Sequence, residues 1–207
     1  MFSSALVILL WVAMIDPTTA EQIQTLDWHW HQAMVEMEWF PLTVFAAFLS
    51  AMGGLWVATP IWILVLLWLG QRKKWRGFWV CFLAVISSQI ISWTSKFGYG
   101  RLRPEDHLLE TTAPSFPSGH ATNAAVMGFV LAFTLVPAGR ERTRYLTIGI
   151  GYALTMALSR TYLRVHWSSD VVAGLLLGVS SSLWAVVFIQ KFAQERLQGR
   201  EKQPRAF

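Results

Sequence analysis

The sequence predicts an all-α integral membrane protein, a bundle of six transmembrane helices with a short interfacial helix in the first outer loop. Three observations carry this. Of the 207 residues, 54% are hydrophobic and only 14% charged, where a soluble domain carries about 25% charged residues. The apolar residues gather into six segments, most of them near the roughly 20 residues a helix needs to cross hydrocarbon. The 12 tryptophans suit a bilayer boundary, where an apolar ring body meets water. The length suits one domain spanning 1–207.

The segments follow in order. Residues 1–15 carry no charge and form the first expected span. A signal peptide is the competing reading, because Thr18-Thr19-Ala20 follows, but a basic start and a clean small-x-small cleavage site are missing. The uncharged run 42–70 covers a tilted second helix with its approach. Residues 77–95 and 121–139 give the third and fourth. Residues 145–159, extended by Thr161, Tyr162 and Leu163 around Arg160, give the fifth, and 171–190 the sixth. Gly53, Gly54, Gly149, Gly151, Gly174 and Gly178 lie inside these runs, where small residues let helices approach closely. Cys81 is the single cysteine. It reads as a small buried hydrophobe, and its solitude excludes an intrachain disulfide or a cysteine-held zinc.

Lys and Arg set the direction of the segments. Arg72, Lys73, Lys74 and Arg76 lie between the second and third, and Arg140, Arg142 and Arg144 between the fourth and fifth. Lys191, Arg196, Arg200, Lys202 and Arg205 mark a basic tail over 191–207. If the segments alternate, all these cations share one side, the cytoplasmic one by the positive-inside bias. Residues 16–41 hold Asp16, Glu21, Asp27, Glu36 and Glu38 without Lys or Arg. This loop should face outward, with its interfacial helix near 22–40 and both termini in the cytoplasm. The net charge of +5 is therefore an orientation signal and gives no reason to expect a nucleic-acid partner. The remaining cations, Lys96, Arg101, Arg103, Arg160 and Arg164, fall on the outer side against this bias. Charge kept at a membrane boundary in that way calls for a functional reading.

Topology brings three blocks to that outer face. The third helix ends near Lys96, with Arg101, Arg103 and Pro104 following. The fourth begins at Pro117-Ser118-Gly119-His120. The fifth ends at Ser159-Arg160, and the sixth begins beside His166 and Asp170. Lys96, Arg103 and Arg160 offer charge-assisted donors suited to phosphate oxygens. Pro117 suits a first helical turn, and Gly119 lets an anion approach the free N–H groups of a helix start. Ser118 either donates its hydroxyl to such an anion or caps the helix; the two roles are compatible. His166 and Asp170 share a face if both are helical; alternatively Ser168 caps the sixth helix and His166 precedes it. In either case a carboxylate on one ring nitrogen fixes the tautomer and frees the other nitrogen to attack. His120 is available as general acid and base.

Lys96-(six residues)-Arg103-Pro104, Pro117-Ser118-Gly119-His120 and Ser159-Arg160-(five residues)-His166-(three residues)-Asp170 together resemble the three-part signature of the type 2 phosphatidic acid phosphatase superfamily. The motif core covers 96–170. The resemblance implies a six-helix membrane bundle, metal-independent catalysis without a cofactor, and a phosphohistidine intermediate. Carried over, His166 is the nucleophile, Asp170 orients it, and His120 is the general acid and base. Lys96, Arg103, Ser118, Gly119 and Arg160 hold the phosphoryl oxygens. Arg101 and Arg164 occupy variable positions, either touching a second phosphate or headgroup or standing peripheral to the site. His29, His31 and His107 match no motif position. Glu105, Asp106, His107 and Glu110 lie in the loop near the entrance, a position from which they could influence headgroup choice, although the sequence gives no geometry for it.

The expected protein is a lipid phosphatase of the bacterial inner (plasma) membrane, with its site at the outer (periplasmic) face and no obligate protein partner. Undecaprenyl pyrophosphate, phosphatidylglycerol phosphate and phosphatidic acid are the candidate substrates. Competing readings are a phosphotransferase that hands the phosphate to a lipid-linked sugar, and a non-catalytic lipid-binding or transport protein. A vanadate-dependent haloperoxidase shares the oxyanion cage but belongs to soluble relatives.

Overall fold

A computed structural model describes residue 12 and residues 16–201. The first expected span, 1–15, therefore lies outside the described residues, Val12 apart, as does the end of the basic tail with Lys202 and Arg205. Among the described residues the chain forms seven longer α-helices and no strand: α1 (Pro17–Glu36), α2 (Phe40–Gly53), α3 (Leu55–Gln71), α4 (Trp75–Tyr99), α5 (Gly119–Leu135), α6 (Arg140–Tyr162) and α7 (Ser168–Glu201).

Helix α1 is the element expected near 22–40, but it starts earlier. Asp16 sits at its N-cap with its carboxylate 3.0 Å from the Thr19 N–H, and Pro17 opens the first turn. The single tilted helix expected over 42–70 is two helices, α2 and α3, bent by 42°. They part at Gly54, whose extended backbone (φ −68°, ψ 161°) ends one and begins the other. Helix α4 stops at Gly100, which takes the left-handed φ of +65° that glycine adopts without steric cost. Helix α5 ends at Leu135, short of the expected 139, because Pro137 forces Val136 into an extended conformation. Pro117 stands before the N-cap, Ser118, and so outside the first turn that the sequence suggested. Helix α7 begins at Ser168, so His166 precedes it, and it continues past the expected 190 to Glu201.

By length and composition, α4 and Ser168–Glu195 of α7 can each cross a membrane, as can α2 and α3 if the bent pair is one span. Helix α5 is apolar but 17 residues long. The exterior is rich in large apolar side chains, including Phe40, Trp56, Leu64, Ile90 and Val187. That surface suits lipid, because water penalises apolar area of this extent.

Helices α4, α5, α6 and α7 form the central group. A Cβ on Gly149 would lie 2.7 Å from the Gly128 backbone, so α5 and α6 touch there backbone to backbone. A Cβ on Gly174 would lie 2.5 Å from the Ser118 carbonyl oxygen, and one on Gly178 the same distance from that of Thr122. The first turns of α7 are thereby pressed onto the start of α5. Gly151, expected to serve similarly, faces open space. Away from this end, Trp62, Leu69, Val80, Cys81, Ala84, Val126, Val130 and Ala185 fill the largest core cluster. At the end where α5 and α7 begin, Met34 and Ala46 tie α1 and α2 to Tyr162, Leu163 and Val165.

Candidate active site

The ends of four helices converge here: the C-terminal turns of α4 and α6 and the N-terminal turns of α5 and α7. Their direction places Lys96, Ser118, Gly119, His120, Arg160, His166 and Asp170 at one end of the bundle. The loop 100–118 folds across this end, and its Ser115 N–H donates to the Arg101 carbonyl at 2.8 Å.

His166 is buried in the turn between α6 and α7. Two backbone features make that turn. The Val165 N–H donates to the Arg160 carbonyl at 3.2 Å, and Arg164 takes a left-handed φ of +57°. The side chain of Arg164 holds this strained position through Glu38 at 2.8 Å and Asp106 at 3.0 Å. On the imidazole, Nδ1 lies 3.5 Å from Asp170 Oδ2 and 3.4 Å from Ser115 Oγ. Nε2 lies 3.2 Å from Arg103 Nη1. Burial lowers the His166 pKa to about 3, with Arg160 and Arg103 pushing the same way and Asp170 opposing. The ring is thus neutral near pH 7. With the carboxylate on the Nδ1 side, the tautomer assigned from these partners leaves the Nε2 lone pair available.

Asp170 is fully buried and richly bonded. Its Oδ1 accepts from Arg101 at 2.6 Å. Its Oδ2 accepts from the Trp167 N–H at 2.9 Å and from the Ser115 hydroxyl. Its carbonyl accepts from the Ser118 N–H at 3.0 Å, which couples the starts of α5 and α7.

The cations divide into held and partly free donors. Lys96 donates to the Pro114 carbonyl at 2.8 Å. Arg103 donates through Nε to the Ala113 carbonyl at 2.8 Å and through Nη1 to the Val165 carbonyl. Burial lowers the Arg103 pKa from its ordinary value. Arg160 donates to the Ser50 hydroxyl of α2, while its Nε is buried without a partner. The Ser118 hydroxyl is also buried and unpartnered; it sits at the N-cap position without making the capping bond. A Cβ added at Gly119 would meet nothing within 4 Å. Orphaned buried donors ask for an explanation, and an anion beside this helix start supplies one. His120 sits against the α2–α3 break, where a Cβ on Gly54 would lie 3.7 Å from its Nε2.

Several partners escaped the sequence reading. Ser115, three residues before Ser118, bonds Asp170 and approaches His166, with no motif to mark it. Arg101 is neither free nor peripheral: it bridges Asp27 of α1 and Asp170 at 2.6 Å each. Burial pulls its pKa down, but the charges and bonds of Asp170 and Asp27 outweigh this and raise it. Arg164 is likewise committed to carboxylates. His31 is buried 3.0 Å from Asp106, with its ring beside Trp28 and Trp167. His107 Nδ1 lies 2.9 Å from the Pro104 carbonyl, and His29 is exposed. Among the described residues, no group of three or more His, Cys, Asp or Glu is placed to hold a metal ion.

A cavity of about 1280 Å³ lies between α1 and the 100–114 loop, with Trp28, Tyr99, Arg103, Thr111 and Trp167 among its walls. Neither His120 nor His166 lines it. It meets the histidine site through Arg101, Arg103, Ala113, Pro114 and Trp167, so geometry and chemistry, not cavity size, locate the reactive centre.

The sequence profile of the PAP2 superfamily matches residues 77–194, more than half of the chain. The chain belongs to the PAP2 superfamily. The PAP2 match takes in all but the first two residues of α4, then α5 and α6, most of α7 and every expected site residue from Lys96 to Asp170; Asp27 and Ser50 lie before it. The chain is 32% identical over 114 residues to phosphatidylglycerophosphatase B of Bacillus subtilis, covering 52% of this chain and 55% of that protein. It is 33% identical over 139 residues to undecaprenyl-diphosphatase of Sulfolobus acidocaldarius, covering 63% of each. The aligned stretches thus span a little over half of these relatives. In fold, the chain resembles the crystal structure of a transmembrane PAP2 type phosphatidylglycerolphosphate phosphatase from Bacillus subtilis. The TM-score is 0.76 at 23% identity, covering 93% of this chain and 94% of that one.

Proposed function

We propose that this PAP2 protein is a membrane lipid phosphatase, and that His166 forms a covalent phosphohistidine during turnover. The observation that carries the reading is the buried, neutral His166, backed by Asp170 on Nδ1 and faced by Arg103 on Nε2. A phosphoryl group displaces Arg103 from the Nε2 lone pair and takes its place there. Nε2 attacks phosphorus in line as the bond to the leaving oxygen breaks, and His120 gives that oxygen a proton. His120 then removes a proton from water, which attacks the phosphohistidine, releases inorganic phosphate and restores Nε2. Asp170 stabilises the positive imidazole between the two steps. Lys96, Arg103, Arg160, Ser118 and the open backbone at Gly119 hold the three oxygens whose charge redistributes. Phosphoryl transfer asks chiefly for positioning and charge stabilisation, so these groups suffice without a metal ion.

The full bundle in this reading has six spans and forms one domain. Both termini are cytoplasmic and the site faces outward from a bacterial inner membrane. The substrate class is a lipid phosphate or pyrophosphate: undecaprenyl pyrophosphate, phosphatidylglycerol phosphate or phosphatidic acid. Support comes from the charge bias, the apolar exterior and the names of the relatives. The test is phosphate release from these lipids by purified protein in detergent, with and without chelator, beside His166→Ala. Release by wild type alone, indifferent to chelator, is expected. Equal turnover by His166→Ala, or loss with chelator reversed by a divalent ion, contradicts the mechanism.

A further inference from the structure

We infer that Asp27, on helix α1 and outside the PAP2 match, is a positioning residue that holds the Asp170–His166 pair through Arg101. The inference rests on the mechanism proposed above. Asp27 is 1% exposed, and both of its oxygens are fully used. Oδ1 accepts from the Ser168 hydroxyl at 2.6 Å and from the Ser169 N–H at 2.8 Å. Oδ2 accepts from the Ser169 hydroxyl at 2.6 Å and from Arg101 Nη2 at 2.6 Å. Arg101 Nη1 in turn donates to the Ser169 hydroxyl at 2.7 Å and to Asp170 Oδ1 at 2.6 Å.

Two consequences follow. First, Asp27 satisfies an orphan N–H of the first turn of α7, a task a helix's own N-cap usually performs. It therefore fixes the turn that carries Asp170. Second, it sets the charge of the buried cluster. Two carboxylates around one guanidinium leave a net negative cluster behind His166, which favours the imidazole as it becomes positive. With Asp27 uncharged, Arg101 is balanced by Asp170 alone, and that advantage is lost. Asp27 touches no reacting atom in this arrangement. Its effect reaches the nucleophile through Arg101, Ser169 and Asp170.

The test uses full-length protein, purified as a single species, turning over a lipid phosphate in mixed micelles. Asp27→Asn is expected to lower kcat roughly ten- to a hundredfold, the scale for groups that orient a reacting side chain, with KM within about threefold. Arg101→Gln should lose at least as much. The double variant should turn over within about twofold of Arg101→Gln, because residues acting along one chain of contacts are non-additive. Asp16→Ala, which removes the cap of the same helix far from Arg101, should keep the wild-type kcat. If Asp27→Asn cannot be recovered folded, Ser169→Ala replaces it, and a several-fold fall in kcat is expected. Wild-type kcat in Asp27→Asn or in its substitute, or losses that multiply in the double variant, overturn the inference. His166→Ala in the same series separates the two claims. If it is inactive while Asp27→Asn is normal, only the inference fails. If it is active, the mechanism beneath the inference fails.

Discussion

Gly174→Ala puts a methyl carbon 2.5 Å from the Ser118 carbonyl oxygen and 3.1 Å from both Ala121 Cβ and Thr122 Oγ1. Ordinary contacts begin near 3.5 Å, so α7 and α5 must separate by roughly 1 Å. The nearest obstacle is backbone, which cannot swing aside as a flexible side chain does. Overpacking of this kind costs about 1–3 kcal/mol. At about 2–4 °C per kcal/mol for a chain of this size, the melting temperature in detergent should fall by several degrees. The functional loss should be larger in proportion. The separation pulls Ser118, Gly119 and His120 away from His166 and Asp170, and a misplacement of about 1 Å can cost a hundredfold in rate. The assay is a thermal melt paired with phosphate release at saturating substrate. Gly151→Ala is the internal control, since its added carbon meets nothing within 4 Å. That variant should melt at or above the wild-type temperature, because alanine favours a helix over glycine by about 1 kcal/mol, and it should turn over normally. If Gly174→Ala melts and turns over like the wild type, the close contact of α5 and α7 does not set the site.

Two further perturbations test separate parts of the structure. Tyr162 donates its hydroxyl to the Trp39 carbonyl at 3.1 Å and accepts from the Trp39 N–H at 2.9 Å. Tyr162→Phe should therefore cost about 1 kcal/mol with kcat unchanged, and an unaltered melting temperature argues against that tie. The depressed pKa of His166 makes a pH prediction of definite sign. Between the ordinary value of 6.5 and about 3 the unfolded ring binds a proton that the folded ring refuses. Stability is therefore complete above that window and lost as pH falls through it. Melting from pH 7 to pH 4 should fall more steeply for the wild type than for His166→Gln; parallel curves contradict a neutral buried ring.

Some of this architecture was legible in the sequence for a physical reason. Lys96, Arg103, Arg160 and His166 lie at the ends of apolar runs, so the alternating direction of successive helices was enough to bring them to one end of the bundle. The α2–α3 break was hidden because 42–70 carries no charge; only the Gly53-Gly54 pair hinted at it. The end of α5 was legible in retrospect, since Pro137 dictates it. The length of α7 was not, because a helix that has left hydrocarbon can continue through charged residues such as Lys191 and Glu195. The Asp27–Arg101 contact joins residues that share no period and no motif. Hydropathy and spacing carry nothing about a pairing made by tertiary folding. Ser115 is a serine in a loop of similar small residues, and its bond to Asp170 follows from how that loop closes over the bundle end.

The central claim is that phosphate passes through His166. Rapid acid-free quenching of the purified enzyme during turnover of a phosphate-labelled lipid tests it directly. The account predicts a labelled protein whose label is stable in alkali, is lost in acid, maps to the peptide containing His166, and is missing from His166→Ala. Steady turnover with no label on the protein, or label that persists in His166→Ala, would contradict it.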